Sequence, residues 1–170
     1  MAVTLCLNSS DRKVLEAFEA AVKRLSAEFQ GRLAFNFSHE IDLTAHLLVW
    51  TRESPAVQED VEGVPVSLAR LEWPCIKGKS LDFILLRPGI GEQARSKWGA
   101  PRSRVALALR LLAAVQIKRG AGRVVSWALT RNDLESLEAV SRSQSLGDPL
   151  LYFIEWVDHD RVGRPWPSQA

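Results

Sequence analysis

Apolar positions in this chain recur at two different spacings, and the switches between them lay out the elements. Residues 2–7 (AVTLCL) form a short apolar run that predicts a first strand, and Asn8-Ser9-Ser10-Asp11 follows as a turn and helix-capping cluster. Val14, Leu15, Phe18, Val22, Leu25 and Phe29 then mark one face of a helix, with Arg12, Lys13, Glu16, Glu19, Lys23 and Arg24 elsewhere on it. Gln30-Gly31 ends that helix. Residues 33–37 (LAFNF) alternate as a strand does, and the bulky apolar run at 45–50 (AHLLVW) suits a buried strand. Residues 52–65 are acidic, contain two prolines and a glycine, and read as a surface loop. Two further strands are expected at 66–71 and 81–86, separated by Trp73-Pro74-Cys75-Ile76-Lys77-Gly78-Lys79.

In the second half, residues 103–118 (SRVALALRLLAAVQIK) are rich in Ala and Leu and apolar on most sides, which predicts a long, largely buried helix. Gly120 and Gly122 end it, a strand is expected at 124–129, and Thr130 or Asn132 caps a helix to about residue 143. Leu134, Leu137 and Val140 form the stripe of that helix. Gly147-Asp148-Pro149 breaks it, and residues 150–157 (LLYFIEWV) form the last strand. The order of elements predicts an α/β or α+β fold, a mixed sheet of about five to seven short strands packed by three main helices. Residues 1–90 form one half, and residues 91–157 a helix-strand-helix-strand half packed on it as one globular unit. A polar tail, 158–170, follows.

Composition narrows the class. With 170 residues and 46% hydrophobic content, the chain is long enough to bury a sizeable core without disulfides or metals as staples. Cys6 and Cys75 lie in apolar runs and read as small buried hydrophobes in a reducing compartment. The N-terminus lacks the charged and apolar regions of a signal peptide, and no apolar run approaches the roughly 20 residues of a membrane span. A soluble, cytoplasmic protein of bacterial type is expected, with no membrane partner and with both N-x-S sequons unused.

Charge changes the picture most. Residues 87–131 hold ten Lys/Arg and one acidic residue, Glu92, a local net charge of +9 inside a chain whose total is +2. Both flanks are net acidic. A segregated block of this kind produces a field that selects anionic partners. Arg95, Lys97, Arg102 and Arg104 surround Trp98-Gly99-Ala100-Pro101 just ahead of the expected helix, where free N–H groups add to the positive potential. Arg95, Lys97, Trp98, Arg102 and Arg104 are therefore the candidate anion- or partner-binding set, Trp98 offering a surface for stacking. Arg110 reads instead as the partner of a carboxylate, and Lys118, Arg119 and Arg123 as favourable charges after a helix C-terminus.

The run of strand, polar turn, helix, strand and buried strand over residues 2–90, with Leu85-Leu86-Arg87-Pro88 after the last strand, resembles a response-regulator receiver domain. The resemblance implies an acidic pair after the first strand, a phosphoacceptor aspartate after the third and a lysine before the proline. This chain has Asp11 as the lone carboxylate of its turn, Trp50-Thr51 at the phosphoacceptor place and Arg87 for the lysine. It thus resembles a degenerate receiver, without the carboxylates that phosphoryl transfer to that site requires.

Other chemistry is thinly represented. His39 and His46 are seven residues apart and His159 lies in the tail, which makes a poor metal-ligand set even with Glu40 and Asp42 beside His39. Asp158-His159-Asp160 has no nucleophile motif to serve, and the phosphate-binding glycine patterns are missing; Lys77-Gly78-Lys79-Ser80 lacks the upstream glycines. Trp50, Trp127 and Trp156 fall in expected strands and Trp73, Trp98 and Trp166 in loops, where tryptophans serve as interface anchors. The expectation is a non-enzymatic adaptor, without cofactor or metal, that docks an acidic protein partner or a second copy of itself through residues 95–123. The first alternative is nucleic-acid or nucleotide binding by the same segment, and the second an enzyme of unrecognised type using His39 or His159.

Overall fold

The computed structural model describes residues 7–30, 39–61, 63–76, 79–89, 111–120, 127–142 and 148–157. Among these are three α-helices and six strands in two sheets, an α+β arrangement. Helix α1 (Ser9–Gln30) and helix α2 (Glu40–Arg52) precede the strands among the described residues. A 3-10 turn (Pro55–Val57) leads into a two-stranded antiparallel hairpin of β1 (Gln58–Val61) and β2 (Val64–Ser67). The main sheet has the order β3 (Ala69–Ile76), β4 (Lys79–Leu86), β5 (Leu111–Gly120) and β6 (Leu150–Val157). Helix α3 (Trp127–Arg142) lies between β5 and β6 in the chain. β3, β4 and β5 pair antiparallel, whereas β6 pairs parallel to β5. That parallel step is what the intervening helix makes possible, because a short turn cannot return the chain to the same end of a sheet.

The start of α1 follows the sequence reading. Asn8 Oδ1 accepts from the Asp11 N–H at 2.7 Å, so one of the helix's free donors is met by the residue just outside it. Val14, Phe18 and Leu25 are fully buried, and Ala21 completes the stripe. Phe18 packs its ring 5.5 Å from Phe83 of β4 and 5.3 Å from Tyr152 of β6. Val115 of β5 is level with both of those residues in the sheet register, so α1 covers the face that carries Phe83, Val115 and Tyr152. Trp156, two residues beyond Ile154 on the same face, donates its indole N–H to Ser26 Oγ at 3.1 Å.

Several expected elements are replaced. Residues 45–50 lie in α2, not in a strand: Leu43 and Leu47 are fully buried while Ile41 and Val49 are exposed, a helical spacing that the dense apolar run concealed. The expected helix at 103–118 is overturned where it is described, because Leu111–Gly120 is a strand. Its residues 111–117 are all buried between neighbouring strands, and tertiary burial overrides the helix propensity of Ala and Leu. Residues 127–129 open α3, not a strand. Within α3, Leu137 and Val140 are buried as expected but Leu134 is exposed.

The expected loop at 52–65 contains β1, and Gly63 takes a left-handed φ of 80° in the hairpin turn. Trp73 and Pro74, expected between strands, lie within β3. Pro74 is tolerated there because β3 is an edge strand among the described residues, and the register shifts between Pro74 and Ile76. The last strand is as expected, Leu150–Val157. Residues 2–6 of the strand expected at 2–7, and the whole of the strand expected at 33–37, lie outside the described residues. No helix among the described residues is long and apolar enough to cross a membrane.

Candidate active site

Alternation along β5 separates two environments. Val115 and Ile117 project into the core, while Gln116 and Lys118 project to the opposite face. Lys118 is mostly buried, and its ammonium is met from two helices at once. Glu40, the first residue of α2, places its carboxylate oxygens 3.1 and 3.3 Å from Lys118 Nζ. Asp133 of α3 brings Oδ2 to 2.9 Å. The Asp133 oxygen is buried, and its contact with Lys118 is an ion pair.

A third carboxylate comes from β4. Asp82 stands one step beyond the Phe83–Val115 pair, opposite Gln116, and its Oδ2 accepts the Ile117 N–H at 2.8 Å. Its carboxyl is pushed up to about 6: burial is the main cause, with Glu40 and Asp133 adding repulsion against the Ile117 N–H and Lys118. Lys118 is raised above its ordinary value. Burial lowers it, but the contacts and charges of Asp133 and Glu40 together outweigh that effect.

Gln116 completes the group. It is 2% exposed, its side-chain amide donates to the Ser80 carbonyl at 2.9 Å, and its Oε1 has no partner among the described residues. A buried amide oxygen left unpaired is unfavourable by about 1–3 kcal/mol unless a ligand supplies the missing contact. The local framework is held by caps: the His39 N–H donates to Asp42 Oδ2 at 2.8 Å, which fixes the first turn of α2 and with it Glu40.

Two carboxylates thus meet one ammonium and a third, Asp82, feels its charge, leaving two negative charges in excess when all are ionised. Such a place takes up either a proton or a cation. Among the described residues no three His, Cys, Asp or Glu side chains converge on one point as a ready metal set. A hard divalent cation does not require one, since Mg²⁺ is commonly held by one or two carboxylates with water and substrate phosphate filling the remaining positions.

The candidates read from sequence fare differently. Arg95, Lys97, Trp98, Arg102 and Arg104 lie outside the described residues, as do Arg110, Arg123 and His159. Arg87 is held at 2.5 Å from Asp11, away from the carboxylate cluster. Trp50 lies under the Arg24 guanidinium, 4.3 Å from the ring centroid, and Trp156 is buried. In the sequence Glu40 stands out only beside His39, and Asp82, Gln116 and Asp133 belong to no motif. The signal for Asp82 and Gln116 is a polar residue interrupting each of two otherwise buried strands (LDFILL and LLAAVQIK), visible only when both segments are read as strands; Glu40 and Asp133 lie on helices and carry no such signal. No family model, no curated protein and no solved structure matches this chain.

Proposed function

We propose that this chain is a divalent-cation-dependent phosphodiester hydrolase acting on nucleic acid. The observation that carries the reading is Lys118 paired with Glu40 and Asp133 and close enough to Asp82 to influence it, from three separate elements, with Gln116 Oε1, unpaired among the described residues, on the same face of the sheet. In this reading Asp82, Glu40 and the neutral Gln116 oxygen would hold the cation, and Lys118 would neutralise the charge that builds on the phosphate. The cation, when bound, activates water and polarises the phosphoryl oxygen.

The substrate class follows from charge. Anionic phosphate approaches an acid-rich site only when cations bridge the two, and the +9 block of residues 87–131 contains Lys118 itself. A field of that sign, attached to the site by its own strand, favours a polyanion over a small neutral substrate.

The test is incubation of the full chain with end-labelled single- and double-stranded DNA and RNA, with Mg²⁺, Mn²⁺ or EDTA. The expected result is cleavage that needs the metal and disappears in Asp82→Asn and Lys118→Met. Intact nucleic acid under every condition, with no heat of Mg²⁺ binding, would overturn it. The adaptor reading rests on the same charge block. Of its docking range, 111–117 form a buried strand, so only the flanking residues remain for a partner. A protein retained from lysate after nuclease treatment, and lost on reversing Arg102 and Arg104, would favour that reading.

A further inference from the structure

Not every charge in this fold is answered by an opposite one. Arg70 of β3 is only partly exposed, yet its guanidinium has no hydrogen bond or ion pair among the described residues. Burial pushes Arg70 below the ordinary range of arginine, and the charge that adds to the effect is Arg52, of the same sign. Arg52 closes α2 and is fixed in place: its Nε donates to Ser67 Oγ and its Nη2 to the Ala69 carbonyl, both at 2.9 Å. Those partners are neutral, and Ala69 is the residue just before Arg70. Glu53, next to Arg52 in the chain, gives its Oε2 to Arg24 at 2.8 Å. Two guanidiniums are therefore held next to each other without a carboxylate to share among the described residues, which folding alone disfavours.

We propose that Arg70 and Arg52 form a subsite for a backbone phosphate of the nucleic-acid substrate, away from the phosphate that is cut; this rests on the hydrolase reading above and names a substrate contact for it. A phosphodiester supplies the counter-charge that both arginines lack, and its oxygens match the guanidinium fork in paired hydrogen bonds. The subsite faces the same side of the sheet as the carboxylate cluster, because Arg70 pairs with Ile84, two residues along β4 from Asp82. Glu40 begins α2 and Arg52 ends it, 13 residues in all, so the two sites stand about 18 Å apart along the helix. At 3.4 Å per nucleotide along one strand of a duplex, that spans about five nucleotides. β3 is an edge strand among the described residues, so no further strand there closes off the flank of Arg70. Both arginines also lie outside the 87–131 block, in the net-acidic part of the chain, where a polyanion needs a local positive point to be held.

The test is DNA binding without cleavage, by the full chain in EDTA. Fluorescence anisotropy of a labelled duplex of about twelve base pairs, repeated over a series of KCl concentrations, compares wild type with Arg70→Met, which keeps an apolar stem. Arg70→Met is expected to bind about tenfold more weakly at low salt, with a slope of log affinity against log salt smaller by about one. Equal affinity and slope in the variant overturn the proposal, as does a wild type that does not bind the duplex. Urea unfolding at low salt is the second measurement. Arg70→Met is expected to keep the wild-type midpoint or exceed it, since no partner is lost and the repulsion from Arg52 is relieved. A lower midpoint, or a variant that does not fold, would show that the guanidinium serves the fold and would overturn the subsite. Wild type that binds as expected, loses binding in Arg70→Met and yet cleaves nothing with Mg²⁺ or Mn²⁺ would overturn the hydrolase reading alone, leaving the two arginines as a nucleic-acid contact.

Discussion

The Ile117 N–H donates to Asp82 Oδ2 across 2.8 Å, so a strand's own backbone holds a carboxylate of the neighbouring strand beside Lys118. Where a ladder partner would normally accept, a side chain does, and β4 presents an acid instead of an apolar residue at that step. One oxygen of Asp82 is satisfied in this way, but burial and the nearby Glu40 and Asp133 still push its carboxyl up to about 6. A raised carboxyl means that the folded chain binds this proton more tightly than the unfolded chain does. The contribution of Asp82 to stability is therefore most favourable below about 3.8 and is lost as pH rises through about 6.

Asp82→Asn removes that dependence while keeping an oxygen for the Ile117 N–H. The variant is expected to gain on the order of 1 kcal/mol over wild type at pH 7.5 relative to pH 5, the full shift being discounted for partial exposure. Urea midpoints in EDTA at the two pH values measure it. Equal differences at both would show that Asp82 is not titrating in this window.

Lys118→Met tests the other sign of charge. Removing the ammonium leaves Glu40, Asp82 and Asp133 without their shared counter-charge, so the variant is expected to lose stability in EDTA and to regain part of it with Mg²⁺. Cleavage of a DNA substrate should fall by roughly 10²–10³-fold, the usual effect of deleting one group that stabilises transition-state charge. Thermal melts with and without Mg²⁺, beside initial rates, separate the two effects.

How far this could be read from sequence depended on whether a local pattern agreed with the final burial. Helix α1 was legible because its apolar residues sit on one face and its exposed positions are charged, so pattern and cap pointed the same way. β6 was legible for the complementary reason, an aromatic and β-branched run set off by Gly147-Asp148-Pro149. β5 was not, because Leu111, Leu112, Ala113 and Ala114 have good helix propensity and a central strand shows no alternation when buried on both faces. That one misreading hid the candidate site. With 103–118 taken as a helix, Gln116 and Lys118 point in different directions and Lys118 becomes a favourable terminal charge. As a strand, the same two residues share a face with Asp82 opposite. Glu40 and Asp133 are 93 residues apart in the chain and meet only through Lys118, which no local window contains.

Packing between α1 and the sheet sets the platform for the site, and Phe83 is its centre. Phe18 and Phe83 are both fully buried with ring centroids 5.5 Å apart. Phe83→Ala is expected to destabilise the chain by about 3–5 kcal/mol, transfer and cavity effects together, because a helix resting on a sheet does not collapse into the space. Chemical unfolding gives the value. Less than about 1 kcal/mol would mean that α1 does not pack there as described.

Arg87 and Asp11 tie the end of β4 to the first turn of α1 at 2.5 Å, and their burial is unequal: the Asp11 side chain is 1% exposed and that of Arg87 is 30%. Asp11 Oδ1 has no partner, so the guanidinium at Oδ2 is the charge that compensates this carboxylate among the described residues. Truncating Arg87 to Ala strands a buried charge, whereas removing both partners strands none. Arg87→Ala is accordingly expected to be strongly destabilising, by about 3 kcal/mol, and the double variant Asp11→Ala with Arg87→Ala to be less destabilised than Arg87→Ala alone. A double-mutant cycle by urea unfolding measures the coupling. Simple additivity would mean that solvent reaches Asp11 once Arg87 is gone, and that α1 is held to the sheet by Phe18 and Trp156 without help from this pair.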